Sequence, residues 1–302
     1  MRLLASVPRW FAAVAMLLAA GAASADTLSL ATYNVRNYGP ANRVLADGFH
    51  PDYPKPEAEK AALRRVICAM NADMLVLQEM GTAPYLEELR RDLRADGCDY
   101  RYSFLATASD PDRHVALLSK RPLKSVATVE LPFAYFGGTE RVKRGVLVAV
   151  VATGMGDVTV FGVHLKSRLT ERADDPESKI RRNAEATAVR DAVLKRFPAP
   201  AHSEFVIIGD CNDSKASKAL ARLRHRGHTP IAELLPAADS HGESWTYAYA
   251  HEDAYERIDH VLVSEALRGH VRGGVAHIID GASVEAASDH RPVFVQFDLG
   301  PP

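Results

Sequence analysis

Apolar runs of strand length recur along this chain, and many of them stop abruptly at a polar residue. The runs are TLSLATYNV (27–35), DMLVLQE (73–79), HVALLSK (114–120), VLVAVVA (146–152), VTVFGVHL (158–165), EFVIIGD (204–210), RIDHVLVS (257–264), VAHIID (275–280) and RPVFVQFDL (291–299). Their length and β-branched content are strand character. Some are apolar throughout and others alternate, which predicts sheets covered on both faces. Helical spacing occurs at 57–71, where Leu63, Val66, Ile67 and Met70 share a face, and at 178–197, through Ala186, Val189, Val193 and Phe197. A third helix is expected from Pro84 to Arg94. Many strands, few helices and no strict β-α-β rhythm predict an α/β (α+β) chain of two packed mixed β-sheets flanked by helices. No internal repeat or linker interrupts it. The stretch from Arg36 to Lys55, rich in Pro, Gly, Asp and Asn, reads as a long ordered loop of the kind that often carries function.

The first 25 residues stand apart. Arg2 and Arg9 flank LLASVP, the stretch WFAAVAMLLAAGAA follows, and Ala23-Ser24-Ala25 satisfies the small-residue cleavage rule. This is a secretory signal peptide, since the apolar run is short for an anchor helix. Residues 26–302 then form one exported domain, periplasmic or secreted after cleavage near Ala25. Cys68 and Cys98 can pair in an oxidising compartment, although spacing does not decide it. With no CxxC, a zinc-thiolate site is not expected. Lys and Arg total 37 against 38 Asp and Glu, so any nucleic-acid binding must rest on a local basic patch. Arg141, Lys143, Arg144, Arg168, Arg181 and Arg182 are the arginines and lysines available for one.

The polar residues that close the strands define the chemistry. The first run ends at Asn34, the second at Gln78-Glu79, another at His164, and the IIGDCND segment at Asp210 and Asn212; Ser288-Asp289-His290 precedes the last run. If these ends meet at one edge, they form a cup of carboxylates, amides and imidazoles. Glu79, Asp210, Asp289, Asn34 and Asn212 supply hard oxygens, which suit Mg2+ or Mn2+, with Ca2+ also accommodated. Two histidines beside carboxylates add proton transfer and anion stabilisation. Together they point to metal-assisted cleavage of a phosphate ester.

The motifs YNVRNY, LVLQEM, GVHLKSR, IIGDCND, ERIDHVLVS and ASDHRPV, in this order, resemble those of the endonuclease/exonuclease/phosphatase superfamily, from about Leu28 to Phe297. The resemblance implies a four-layered, deoxyribonuclease I-like sandwich and a divalent-metal phosphoesterase. On the metal side it implies Glu79 as the principal carboxylate, with Asn34 and Asp289 beside it. Asp210 is implied to activate the attacking water, Asn212 to contact the phosphoryl group, and His290, oriented by Asp259, to stand at the phosphate. His164 is implied near the leaving group. Arg144, Lys166 and Arg168 are candidates for contacting phosphate oxygens.

Other residues read as structural. Asp213 and Ser214 are expected to cap the next helix, His260 to point away from Asp259, Cys211 to face the core, and Trp245 to pack. Asn212-Asp213-Ser214 spells a glycosylation sequon by coincidence. Arg36 follows Asn34 at a place where some relatives carry an acid, which weakens a two-metal scheme. The segment LPFAYFGG (131–138) reads either as a surface loop with packed aromatics or as a membrane contact.

The leading function is thus a secreted nuclease acting on a phosphodiester in DNA or RNA, with no protein partner required and a monomer expected. A phospholipid or sphingomyelin phosphodiesterase, or a phosphomonoesterase, is the alternative on the same fold. A binding module that keeps the fold without the chemistry is the non-enzyme reading. The binuclear metallophosphoesterases are excluded: GDCND mimics one of their elements, but the chain has no GNH or GHxH.

Overall fold

Alternation along the first strand shows how the layers are built. In Thr27–Tyr38, Leu28 and Leu30 join one buried cluster while Ala31, Tyr33 and Val35 join another on the opposite face. A strand buried on both sides must lie inside a multilayered stack. The structure, a computed structural model, describes residues 26–170, 172–249 and 252–300. The signal-peptide reading of residues 1–25 lies outside the described residues.

Each of the nine apolar runs forms a strand, and they divide between two sheets. The seven-stranded sheet runs in the order Ala237–Ala238, Ala276–Ile278, Val293–Asp298, Thr27–Tyr38, Met74–Met80, His114–Ser119, Tyr102–Leu105. The six-stranded sheet runs Glu233–Leu234, Asp259–Val263, Phe205–Asp210, Gly156–His164, Val146–Thr153, Leu123–Val129. Their inner faces share one apolar core that includes Leu30, Val76, Leu117, Leu147, Val160, Ile208, Val261 and Val295. The helices Glu57–Met70, Ala83–Ala95 and Ala282–Ala287 cover the outer face of the first sheet. Lys179–Arg196 and Lys218–Arg224 cover the second. The expected four layers, helix, sheet, sheet and helix, are present.

The sequence missed the four edge strands: Tyr102–Leu105 and Leu123–Val129, mostly half-buried or exposed and so without a strong apolar signal, and Glu233–Leu234 and Ala237–Ala238, each only two residues long. The loop expected from Arg36 to Lys55 is instead partly regular. The first strand continues to Tyr38, and Ala41–Leu45 pairs with Gly48–Tyr53 in a hairpin. Its Asp47-Gly48 step is a hairpin turn signal. The LPFAYFGG segment likewise forms half of a hairpin, Pro132–Tyr135 with Gly138–Arg141. There Tyr135 donates to Asp175 Oδ2 at 3.0 Å and Arg172 lies 4.3 Å over Phe136. Cys68 and Cys98 are disulfide-bonded, with Cα atoms 5.6 Å apart, and tie the helix Glu57–Met70 to the turn after Ala83–Ala95.

Candidate active site

Strand direction brings the polar residues to one edge. Thr27–Tyr38 and Met74–Met80 are parallel, and Val293–Asp298 runs against them, so Asn34, Glu79 and His290 share that edge. In the second sheet Gly156–His164 and Phe205–Asp210 are parallel and Asp259–Val263 is antiparallel. The register sets His164, Asp210 and Asp259 side by side on neighbouring strands. Alternation puts all three on the inner face, in phase with the core residues Val160, Ile208 and Val261. His260 and Cys211 fall on the outer face, as expected; His260 Nε2 donates to the Asp213 carbonyl at 2.9 Å and Cys211 joins the core under helix Lys179–Arg196.

Hydrogen bonds cross between the two sheets here. Asn34 Nδ2, from the first sheet, donates to Asp210 Oδ2, from the second, at 3.0 Å. Both residues are 1% exposed. The Asn212 amide donates to Asp210 Oδ1 at 2.8 Å, and Asn212 Nδ2 to the Leu165 carbonyl at 2.9 Å. His290 Nδ1 lies 2.9 Å from Asp259 Oδ2, which leaves Nε2 as the ring's other hydrogen-bonding atom. Thr246 Oγ1 accepts from the Ile258 and Asp259 amides at 3.1 and 3.0 Å, and so fixes the carboxylate's backbone. Ser288 Oγ donates to the Asn34 carbonyl at 2.8 Å and accepts from the His290 amide at 3.1 Å. Buried Lys55 donates to the Ala287 carbonyl at 2.8 Å.

Glu79 has φ 59, in the left-handed region, and its Oε2 accepts from the Asn37 amide at 3.0 Å. Arg36, Asn37 and Asn212 are also left-handed, with φ of 48, 52 and 51. Such strain gathers where a site needs side chains aimed against the strand's regular course. Gly209 makes the approach of the two central strands possible. Its φ is +148, and a Cβ there would lie 2.0 Å from the Val163 carbonyl oxygen.

The electrostatics follow from burial and crowding. Burial and the neighbouring Asp259 carboxylate push Asp210 up to about 7, against the bonds from Asn212 and Asn34. For His290, burial alone would lower the value; Asp259, then Asp210 and Asp289, outweigh it and raise it to about 10. His164 is held neutral, well below the usual histidine value, by burial and by the charges of Arg144 and His290. Its Nε2 is 3.6 Å from Asp210 Oδ2, and its Nδ1 is buried without a partner.

The three predicted phosphate-contacting cations all carry internal partners. Arg144 is buried, pairs with Asp110 at 3.1 Å and donates to the Leu165 carbonyl at 3.3 Å. Lys166 Nζ folds back on the Leu169 carbonyl and on Ser167. Arg168 forms a two-pronged pair with Glu256. These partners fix where each cation sits. Arg36 Nε lies 3.6 Å from Asp289 Oδ2, with its side chain 52% exposed. The predicted helix cap is corrected: helix Lys218–Arg224 starts later than Asp213 and Ser214, and is capped by Ser217, whose Oγ accepts from the Leu220 amide at 3.2 Å. Asp213 instead pairs with buried Arg182 at 3.0 Å.

A family model described as the endonuclease/exonuclease/phosphatase family matches residues 31–290. The chain belongs to that family. Its members are typically divalent-metal-dependent phosphoesterases. Similar solved folds include a Staphylococcus aureus beta toxin mutant with bound magnesium ions, at 14% identity and TM-score 0.62, covering 90% of this chain and 99% of that one. Sphingomyelinase C from Streptomyces griseocarneus is 19% identical with TM-score 0.58, covering 90% and 99%. Truncated Caenorhabditis elegans TDP2 is 15% identical with TM-score 0.59, covering 90% and 97%. No curated protein sequence matches this chain.

The donor set fits the divalent cation this family uses. Glu79, Asn34 and Asp289 offer hard oxygens at the shared edge, and Asp259 Oδ1 is a buried anionic oxygen with no hydrogen-bond partner. Asp210, Asp259 and His290 also bring ligand atoms within 4.8 Å of one another. The His290–Asp259 bond engages two of those three residues with each other.

Proposed function

We propose that this chain is an exported, Mg2+-dependent phosphodiesterase that hydrolyses nucleic acid. The observation that carries the reading is the junction of the sheets, where Asn34 holds Asp210 beside the His290–Asp259 pair. Asp210 takes the proton of the attacking water, positioned by the Asn34 and Asn212 bonds. His290, cationic because of Asp259, steadies the phosphoryl oxygens through Nε2. Asn212 keeps a second Nδ2 proton for the same oxygens. His164, neutral and buried, stands by the leaving oxygen. Glu79, with Asn34 and Asp289, would hold the cation, which supplies charge neutralisation at phosphorus when bound. The Cys68–Cys98 bond supports export, because disulfides persist in oxidising compartments. Mn2+ or Ca2+ in place of Mg2+ is an outcome the assay below reads directly.

Bis-p-nitrophenyl phosphate, assayed with each of these cations and with EDTA, tests the chemistry. Asp210→Asn and His290→Ala should each lower kcat by about 10²- to 10⁴-fold, with EDTA abolishing turnover. Unchanged kcat in both variants sinks the assignment. Plasmid DNA, RNA and sphingomyelin vesicles then rank the substrates, and amino-terminal sequencing of the exported protein should begin at Asp26.

A second reading, a phospholipid or sphingomyelin phosphodiesterase, is favoured by one feature. Val44 and Phe49 pair across the hairpin and are 81% and 63% exposed beside the cleft.

A further inference from the structure

A cleft of ≈ 580 Å³ opens directly from His290, and one of its walls is aromatic. Tyr247 and Tyr249 alternate on a short strand, so they share a face, and their rings are near-parallel at 15° with centroids 6.4 Å apart. The Tyr247 ring reaches the His290 ring at 4.8 Å. Trp245 is held against the same hairpin, its ring 4.9 Å from Tyr255 and 3.1 Å from the Arg291 guanidinium. Arg36 and Val44 line the cleft on other sides.

The hairpin is fixed in place from three directions. Its partner strand carries Glu256, which pairs with Arg168 of the loop after His164. The Ala248 amide donates to the Asp289 carbonyl at 3.0 Å, and the Arg291 amide to the Thr246 carbonyl at 2.6 Å. The wall is therefore tied through the backbone to the residues that flank the reacting phosphate. Whatever stands on it is positioned relative to phosphorus.

We propose that Tyr247 and Tyr249 form a stacking subsite for the nucleobase next to the scissile phosphate. This rests on the phosphodiesterase reading above and names its substrate class as a polynucleotide. Flat ring faces beside a cationic catalytic group match a planar base attached to a phosphodiester. The volume lies within the range of small-ligand clefts. A choline headgroup would also meet these rings, through cation–π contact, and the sphingomyelin arm of the test separates it from a base. The exposed apolar pair Val44 and Phe49 sits on a hairpin that also carries Asp47 and Asp52, so that surface is not purely apolar.

The test compares a short single-stranded oligonucleotide with one of equal length whose target nucleotide is abasic, so that charge is constant and only the base changes. The wild type with Mg2+ should prefer the base-bearing strand. Tyr249→Ala should reduce that preference, measured as the ratio of kcat/KM values, by about five- to a hundredfold, the range of one lost base stack. Tyr249→Trp should keep it, and Tyr249→Leu should lose it, because an apolar side chain without a ring face cannot stack. Quenching of Trp245 fluorescence by the same two oligonucleotides in EDTA should show the same order of affinities without turnover, and thermal melting confirms that each variant is folded. Cleavage of both strands with equal efficiency by wild type and Tyr249→Ala overturns the subsite while leaving the phosphodiesterase intact. Cleavage of sphingomyelin vesicles but of neither oligonucleotide overturns the substrate class. Failure to cleave any phosphodiester overturns the underlying reading and the subsite with it.

Discussion

Gly209 shows how closely a single position can be specified. The strand it belongs to must pass the Val163 carbonyl at a distance that excludes any Cβ. Gly209→Ala should cost at least about 3 kcal/mol of stability, combining a steric clash with a disfavoured φ; a urea midpoint equal to wild type would contradict this. His260 makes a second residue-level prediction. Burial lowers its value from 6.5 to about 4, and its Nδ1 has no partner. Below about pH 6.5 the unfolded chain therefore takes up this proton before the folded chain does. The His260 contribution is fully present above that pH and is lost progressively as pH falls towards 4, by about 3 kcal/mol in all. His260→Gln, which can still donate to the Asp213 carbonyl, should flatten stability between about pH 7 and 4.5 in urea titrations. The glycine is visible in the sequence, but its reason is not: IIGDCND contains no sign of which carbonyl crosses it.

Among elements, the helix Lys179–Arg196 does more than cover a sheet. Arg182 and Glu185, one turn apart and both buried, grip the same residue, Lys166. Its amide donates to Glu185 Oε2 at 2.7 Å, and its carbonyl accepts from Arg182 at 3.1 Å. Arg182 also holds Asp213, so one helix turn fixes the loops that follow His164 and Asn212. Charge pattern alone counts Arg182 among possible DNA-contacting arginines, because it does not reveal burial. Glu185→Ala should lower kcat on bis-p-nitrophenyl phosphate about tenfold or more through misplaced catalytic groups, with KM little changed. Glu185→Gln, which still accepts the amide bond, should recover most of the rate. Equal kcat in all three proteins would reduce the helix to a structural support.

For the whole molecule, the Cys68–Cys98 bond closes a loop with sequence separation 30. Removing it should lower the unfolding free energy by about 4 kcal/mol on the chain-entropy model. Cys68→Ala/Cys98→Ala, compared with wild type by urea unfolding without reductant, measures this; matching curves would place the constraint elsewhere. The site belongs to no single element, because it exists only where the two sheets abut.

The layers and most of the strands are legible in the linear chain, because burial on two faces writes a continuous or alternating apolar pattern that needs no partner to be read. The polar residues at the strand ends are legible too, since a carboxylate closing a buried strand is chemically conspicuous. What those residues do to one another was settled by folding. The Asn34–Asp210 bond spans 176 residues of chain, and the commitment of Arg144 and Arg168 to Asp110 and Glu256 depends on loops 34 and 88 residues away. Local pattern records how a segment meets its own two faces; it carries no record of which distant segment arrives there.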